Sequence, residues 1–314
     1  MIPATRPARS IRGMSAILVP HAVDGSIDWP AFEAHVARTH DAGLTPAVNM
    51  DTGYVQLLPT ETRQRVLDIT RSVTEGAFVA GAFVADDAGD RFDLGRFVDV
   101  AHPISDAGGT PVVFPNHGLN ALDEDAWVGA LRSFGEEAGS FIGFELGAMF
   151  VPYGRIFSLD AYEGLLGVPE CIGAKHSSLD RVAEWDRLAL RDRVRPDFAV
   201  FTGNDLAIDM VAYGSDYLLG LSTMAPDLFA LRDRLWERDD PRFWECNDLL
   251  QYLGMFTFRD PVPAYRHDAA IVLELRGWAA SDVVPEGAPR RPESDRAVLA
   301  DIVERIETMV EELS

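Results

Sequence analysis

Of the 28 basic residues in this chain only one, Lys175, is a lysine; the other 27 are arginines. A guanidinium stays protonated and cannot attack a carbon, whereas an amine can once burial lowers its pKa. Lys175 ends an apolar, strand-like run, Glu170-Cys171-Ile172-Gly173-Ala174-Lys175. Lysine normally keeps its charge on a solvated helix face, because an unpaired buried ammonium is costly. A GC-rich coding sequence accounts for the arginine excess but not for this location. An amine rising from a strand into a partly dry cavity is a nucleophile for carbonyl carbon. Cys171, Gly173 and Lys175 share one strand parity, so small side chains are expected beneath the lysine stem.

The residues around that amine depend on what lies before and after it. From residue 14 the chain alternates short apolar runs with longer amphipathic ones. The runs are Ser15–Pro20, Thr45–Asn49, Ala77–Val84, Thr110–Phe114, Phe141–Leu146, Glu170–Lys175, Phe198–Thr202 and Tyr217–Leu221. Helical patterns follow each of them, over 28–42, 59–75, 91–107, 123–138, 159–166, 180–193, 206–212 and 226–238. Continuous apolar strands suit a parallel sheet buried on both faces. Eight such units over residues 14–238 predict a (β/α)₈ TIM barrel with additional C-terminal helices. A doubly wound sheet would give the same alternation, but no GxGxxG follows the first strand. Residues 1–13 read as an N-terminal extension. Residues 239–314 read as a helical region, with helices over 240–256, 263–278 and 294–313, packed on the barrel or on a neighbouring subunit.

Bulk properties narrow the partners. The net charge of −22 disfavours nucleic acid and anionic membrane surfaces. Two distant cysteines, Cys171 and Cys246, give no disulfide framework and no zinc-finger spacing. No apolar run approaches the ~20 residues that cross a bilayer, so a soluble cytoplasmic protein acting on a small molecule is expected.

The active site of such a barrel lies at the C-terminal ends of its strands. The polar residues expected there are His21; Asn49, Asp51, Thr52 and Tyr54; Asn116 and His117; Glu145; Lys175 and His176; Thr202, Asn204 and Asp205; and Ser222 and Thr223.

These residues carry a resemblance. Gly173-Ala174-Lys175-His176-Ser177-Ser178 resembles the Schiff-base strand, usually Gly-Ile-Lys-Asp-Ser-Ser, of the dihydrodipicolinate synthase / N-acetylneuraminate lyase family of class I aldolases. Thr202-Gly203-Asn204-Asp205 resembles that family's Ser-Gly-Asp-Asp turn, and Gly220-Leu221-Ser222 its eighth strand. Asp51-Thr52-Gly53-Tyr54, continuing to Leu58-Pro59-Thr60-Glu61-Thr62-Arg63, resembles Gly-Thr-Thr-Gly-Glu followed by Leu-Thr-x-x-Glu-Arg. The four motifs stand in the family's order and cover most of the barrel.

The resemblance implies a lyase acting on a 2-oxo acid, such as pyruvate or a pyruvate-derived sugar acid, through an imine on Lys175. It implies no cofactor or metal beyond that covalent imine, and a homo-oligomer, tetramer or dimer. Substrate contacts fall on Asp51, Thr52, Gly53, Gly203, Asp205 and Ser222. Arg155, in Val151-Pro152-Tyr153-Gly154-Arg155, resembles the family's Pro-x-Arg that holds a distal carboxylate.

Departures from the family pattern are as informative. Asp51 replaces a threonine where a substrate carboxylate should dock. Phe144-Glu145-Leu146-Gly147 stands where Tyr-Asn-x-Pro is usual, and Pro115-Asn116-His117 where Pro-Tyr-Tyr is usual, so the proton-shuttling tyrosines are missing. Glu145 and His117 are the candidate acid/base replacements, with Tyr54 or Tyr153 as the phenol. These changes argue against the synthase's own substrate. Two alternatives are a metal-assisted barrel enzyme using Asp51, His117, Glu145 and Asp205, and an altered barrel that only binds a metabolite.

Overall fold

The computed structural model describes residues 3–313. Eight parallel strands close into a barrel in chain order: β1 (Gly13–Ala16), β2 (Thr45–Val48), β3 (Val79–Ala82), β4 (Thr110–Val113), β5 (Phe141–Leu146), β6 (Cys171–Ser177), β7 (Ala199–Thr202) and β8 (Asp216–Leu219). Helices α1 (Trp29–Asp41), α2 (Thr60–Thr74), α3 (Leu94–Asp106), α4 (His117–Asn120), α5 (Glu124–Ala138), α6 (Leu159–Leu166), α7 (Arg181–Val194) and α8 (Pro226–Glu237) surround it. The expected (β/α)₈ barrel is therefore the fold. Beyond it lie α9 (Phe243–Thr257), α10 (Tyr265–Leu275) and α11 (Asp295–Leu313).

Local chemistry explains the punctuation. Asp28, Asp93, Asp123, Ser158 and Asp180 each accept a hydrogen bond from a backbone N–H in the first turn of the following helix. These caps satisfy donors that the helix itself leaves orphaned. Gly43 closes the turn after α1 at φ +98, a conformation open to glycine at little cost. Two expectations differ in detail. Residues 206–212 form no α-helix; a 3-10 turn spans Ile208–Tyr213 instead. The one-turn α4 was not foreseen, because its four residues are too few to show periodicity.

Inside the barrel, Ala16, Ala47, Val79, Val112, Ile142, Phe144, Ala199, Phe201 and Leu218 form one packed cluster. The N-terminal segment is tied to the strand bottoms: Arg9 Nη1 and Arg12 Nε reach the Asp216 carboxylate at 3.0 and 2.6 Å. The C-terminal helices share an apolar core with α8, in which Leu299, Ile302, Val303 and Ile306 of α11 are buried. That amphipathic face thus packs within its own chain. Among the described residues no helix is long and apolar enough to cross a membrane.

Candidate active site

Lys175 stands near the top of β6, partly buried, in register with Phe144 of β5 and Phe201 of β7. Its strand is not regular. Phe141 pairs with Cys171 but the next residue, Ile142, pairs with Gly173, so Ile172 is an extra residue, a β-bulge. The bulge changes the parity below the lysine. Cys171 packs in the outer layer with Ala174, while Gly173 and Lys175 face the barrel axis. The expectation that Cys171 shares the lysine's face is corrected: a one-residue insertion turns every earlier side chain to the other side. Gly173 makes room as expected, but for its neighbours. A Cβ there would stand 2.7 Å from both Ala199 Cβ and Phe201 Cε2.

The amine has no ion-pair partner among the described residues and lies 4.5 Å from the Phe144 ring centroid. Burial pulls its pKa below the ordinary value, against the charges of Asp205 and Asp51, which favour the ammonium. Burial likewise raises the Asp205 carboxyl to about 6, although the Leu221 N–H and the Lys175 charge oppose that shift. Both groups are thus moved toward their neutral forms. Gly203 is shaped around the lysine, since a Cβ there would stand 2.7 Å from Lys175 Cε. Ser177, one inward position above the lysine, lines the same cavity and its buried hydroxyl has no hydrogen-bond partner among the described residues.

The cavity above Lys175 has a volume of about 190 Å³. Its polar side joins the turn after β2 to the start of α10. Thr52 Oγ1 lies 2.8 Å from Tyr265 Oη, and Tyr265 Oη lies 3.4 Å from Asp51 Oδ2. Arg266 Nη1 donates to the Asp51 carbonyl (3.1 Å) and to Asp51 Oδ1 (3.2 Å). The Asp51 carboxylate, which would repel an anionic substrate, is therefore paired with a guanidinium. Burial pushes the Tyr265 phenol well above its ordinary pKa, so it is protonated. The opposite side is apolar: Phe83, Phe114, Phe144 and Phe150 line it, with Leu146 and Val151. Phe83–Phe114 and Phe114–Phe144 meet edge to face at 6.0 and 5.2 Å.

Several expected residues are brought together here: Lys175, Asp51, Thr52, Gly203, Asp205 and Tyr153 all line the cavity. Others are not. Glu145 points outward from β5, because Ile142, Phe144 and Leu146 take the inward positions. Its Oε2 accepts from Arg187 Nε (2.6 Å) and bonds His176 Nδ1 (2.9 Å), while Oε1 accepts from Arg187 Nη2 (2.6 Å) and the Phe157 N–H (3.0 Å). Burial alone would raise this carboxyl, but hydrogen bonds and charge from His176 and Arg187 outweigh it and hold it at about 2. A carboxylate so engaged is structural, and the acid/base role expected of Glu145 has no geometry to support it.

Arg155 also turns away, donating to the carbonyls of Asn120 and Leu122 and pairing with Glu124. His117 begins α4 and packs against the Tyr153 ring at 4.4 Å, outside the cavity. Tyr54 lies under the Arg266 guanidinium, 4.8 Å from ring centroid to cation, with its hydroxyl buried and bonded to no described residue. Gly53 packs against the Ile17 carbonyl, which a Cβ would meet at 2.9 Å. Ser222 is buried against Ser15 and the Leu219 carbonyl. Asp51, His117, Glu145 and Asp205 do not converge. Among the described residues no group of three or more His, Cys, Asp or Glu is placed to hold a metal ion, so the metal-assisted alternative finds no ligand set.

Nothing in the sequence marks Tyr265 and Arg266 as residues of the site. They open a helix some ninety residues beyond Lys175, and no local motif marks a helix start as part of a distant barrel mouth. The only available signal was a tyrosine and an arginine together at the start of a helix outside the barrel.

No protein-family model matches this sequence, and no curated protein matches it either. Solved structures do. A dihydrodipicolinate synthase from Thermotoga maritima superimposes with a TM-score of 0.79 at 16% identity, over 95% of this chain and 99% of that one. One from Agrobacterium tumefaciens gives 0.77 at 18% identity, over 94% and 98%. A sialic acid aldolase from Ruminococcus gnavus, in a catalytic-lysine mutant, gives 0.75 at 16% identity, over 97% and 98%. The barrel with its C-terminal helices is thus the fold of dihydrodipicolinate synthases and of a sialic acid aldolase, matched along nearly the whole chain.

Proposed function

We propose that this protein is a lyase of the dihydrodipicolinate synthase / N-acetylneuraminate lyase family that forms an imine between Lys175 and a 2-oxo acid. The observation that carries this reading is the Lys175 amine itself: inward-facing, without an ion-pair partner among the described residues, and shifted toward neutrality by burial in the cavity. A neutral amine adds to a ketone, water leaves, and the protonated imine draws electrons from the adjacent carbon–carbon bond. One of the structural neighbours also has a catalytic lysine.

The cavity divides the substrate in two. The carboxylate and carbonyl belong on the polar side, near Thr52, Arg266 and Lys175. Arg266 Nη2 donates to no described residue and is available to a carboxylate. The remainder of the substrate meets phenylalanine rings. An apolar cavity of about 150 Å³ accommodates benzene; a pyruvyl unit has as many heavy atoms, so about 190 Å³ leaves room beside it for a short apolar extension. A polyhydroxylated chain would leave hydroxyls unpaired there, at about 1–3 kcal/mol each. The substrate is therefore pyruvate or a 2-oxo acid with a short apolar extension, or pyruvate together with a small apolar aldehyde.

The test is borohydride reduction with pyruvate, 2-oxobutyrate and a 2-keto-3-deoxy sugar acid, read by intact mass. Because there is one lysine, an adduct has only Lys175 or the α-amine to occupy, and Lys175→Met separates the two. Trapping is expected with pyruvate and 2-oxobutyrate, weakest with the sugar acid, and absent in Lys175→Met. No adduct with any 2-oxo acid would sink the proposal.

A further inference from the structure

Strand β5 presents Phe144 where a proton-carrying phenol would face the lysine, yet an imine needs protons moved at the substrate carbon and oxygen. The cavity contains two tyrosines. Tyr153 lies in the loop after β5, and its hydroxyl makes no hydrogen bond to a described residue. Tyr265 is fixed: its ring stacks on Phe258 with centroids 4.3 Å apart, and its hydroxyl lies between Thr52 Oγ1 and Asp51 Oδ2. A Cβ at Gly220, at the top of β8, would stand 3.2 Å from Tyr265 Oη. The phenol therefore lies against the barrel mouth one strand from Gly203, which packs against the lysine stem.

We infer that Tyr265, from a helix outside the barrel, is the catalytic phenol of this site and passes the substrate's proton to Asp51. This rests on the imine reading above. In the iminium formed from pyruvate on Lys175, the C3–H bond breaks and its electron pair becomes the C2=C3 bond of an enamine, neutralising the nitrogen. The proton goes to Tyr265 Oη as the phenol's own hydrogen moves to the Asp51 carboxylate. One cation and one anion become two neutral groups, and no other reactant is consumed. Protonation at C3 runs the same path in reverse; in aldehyde addition the C2=C3 pair bonds to the aldehyde carbon instead, and the aldehyde oxygen takes the proton of Tyr265 as Asp51 returns its own to the phenol.

The chain of contacts gives each residue a distinct part. Asp51 is half exposed, with 51% of its side-chain surface open, so its proton exchanges with water. Arg266 holds Asp51 beside the phenol. Thr52 orients Tyr265 by the 2.8 Å contact. The 3.4 Å step from Tyr265 to Asp51 is long for a hydroxyl donor, as is common at catalytic sites before substrate binds. The other carboxylate of the cavity, Asp205, accepts from the Leu221 N–H at 2.8 Å and makes no bond to either tyrosine.

The experiment follows exchange of the pyruvate methyl protons for deuterium in D₂O by NMR, which needs no aldehyde partner. Exchange is divided by the amount of imine that borohydride traps. Tyr265→Phe keeps the ring stack and is expected to trap imine but exchange about 100-fold more slowly, the usual contribution of a positioned acid/base group. Asp51→Asn should slow exchange per imine to a similar degree with the Thr52–Tyr265 contact intact. Where Tyr265→Phe traps no imine at all, Asp51→Asn decides. Unchanged exchange per imine in the deciding variant, or loss of exchange in Tyr153→Phe or Asp205→Asn with Tyr265→Phe unaffected, overturns the inference. Wild-type protein that traps no imine with any 2-oxo acid would instead overturn the lyase reading.

Discussion

Gly203 and Lys175 are shaped to each other: a Cβ on the glycine would stand 2.7 Å from the lysine Cε and 2.0 Å from Ser177 Oγ. The turn after β7 is thus the wall against which the amine is aimed. Gly203→Ala must displace the stem, and small misplacements at a reacting centre are expensive in rate. Borohydride trapping with pyruvate by the folded protein is expected to slow at least about tenfold, alongside an overpacking cost of about 1–3 kcal/mol in stability; trapping at the wild-type rate would show that the glycine has no such part.

Asp205 stabilises the ammonium form of Lys175. Removing its charge in Asp205→Asn lowers the lysine pKa further, so the neutral amine is present at lower pH. The pH profile of imine trapping is expected to move acidward, and the inflection from the Asp205 carboxyl, raised to about 6 by burial, should disappear. An alkaline displacement of the profile would contradict the assignment.

Two arginines compete for the substrate carboxylate, and the geometry separates them. Arg266→Met should raise the 2-oxo acid concentration for half-maximal trapping by about 10- to 100-fold, the worth of a charge-assisted hydrogen bond of about 1.5–3 kcal/mol. Arg155→Ala should leave it within about twofold, because its guanidinium is occupied by backbone carbonyls and Glu124. Titration of trapping against pyruvate concentration reads both.

Glu145 is a stability residue. Its folded pKa, about 2, lies below the ordinary 4.5, so the stabilisation from its ionised form is complete above about pH 4.5 and is lost as pH falls toward 2. Glu145→Gln leaves the Arg187 charge buried without its partner and should cost about 3–5 kcal/mol in urea unfolding near pH 7. The gap from wild type should shrink with acidification across that window. Imine trapping by the folded fraction should persist.

The barrel was readable because its apolar runs and helical patterns repeat eight times at a regular spacing, and Lys175 because its residue type is so rare here. Thr52, Gly203 and Asp205 followed from motif order. Glu145 was misplaced for a reason visible in hindsight: Ile142, Phe144 and Leu146 alternate with it, and β5 carries no bulge to change their face. The bulge at Ile172 was less legible, since nothing in Cys171-Ile172-Gly173 announces an extra residue. Tyr265 and Arg266 could not be assigned by pattern at all, because only the docking of α10 on the barrel mouth brings them to Thr52 and Asp51.

Because α10 supplies the phenol and the guanidinium, the barrel and its chemistry are completed at different moments of synthesis. A ribosome releases all eight strands, Lys175 included, before Tyr265 and Arg266 are made. A nascent barrel therefore carries Lys175 without the two α10 side chains that complete the polar side of its cavity.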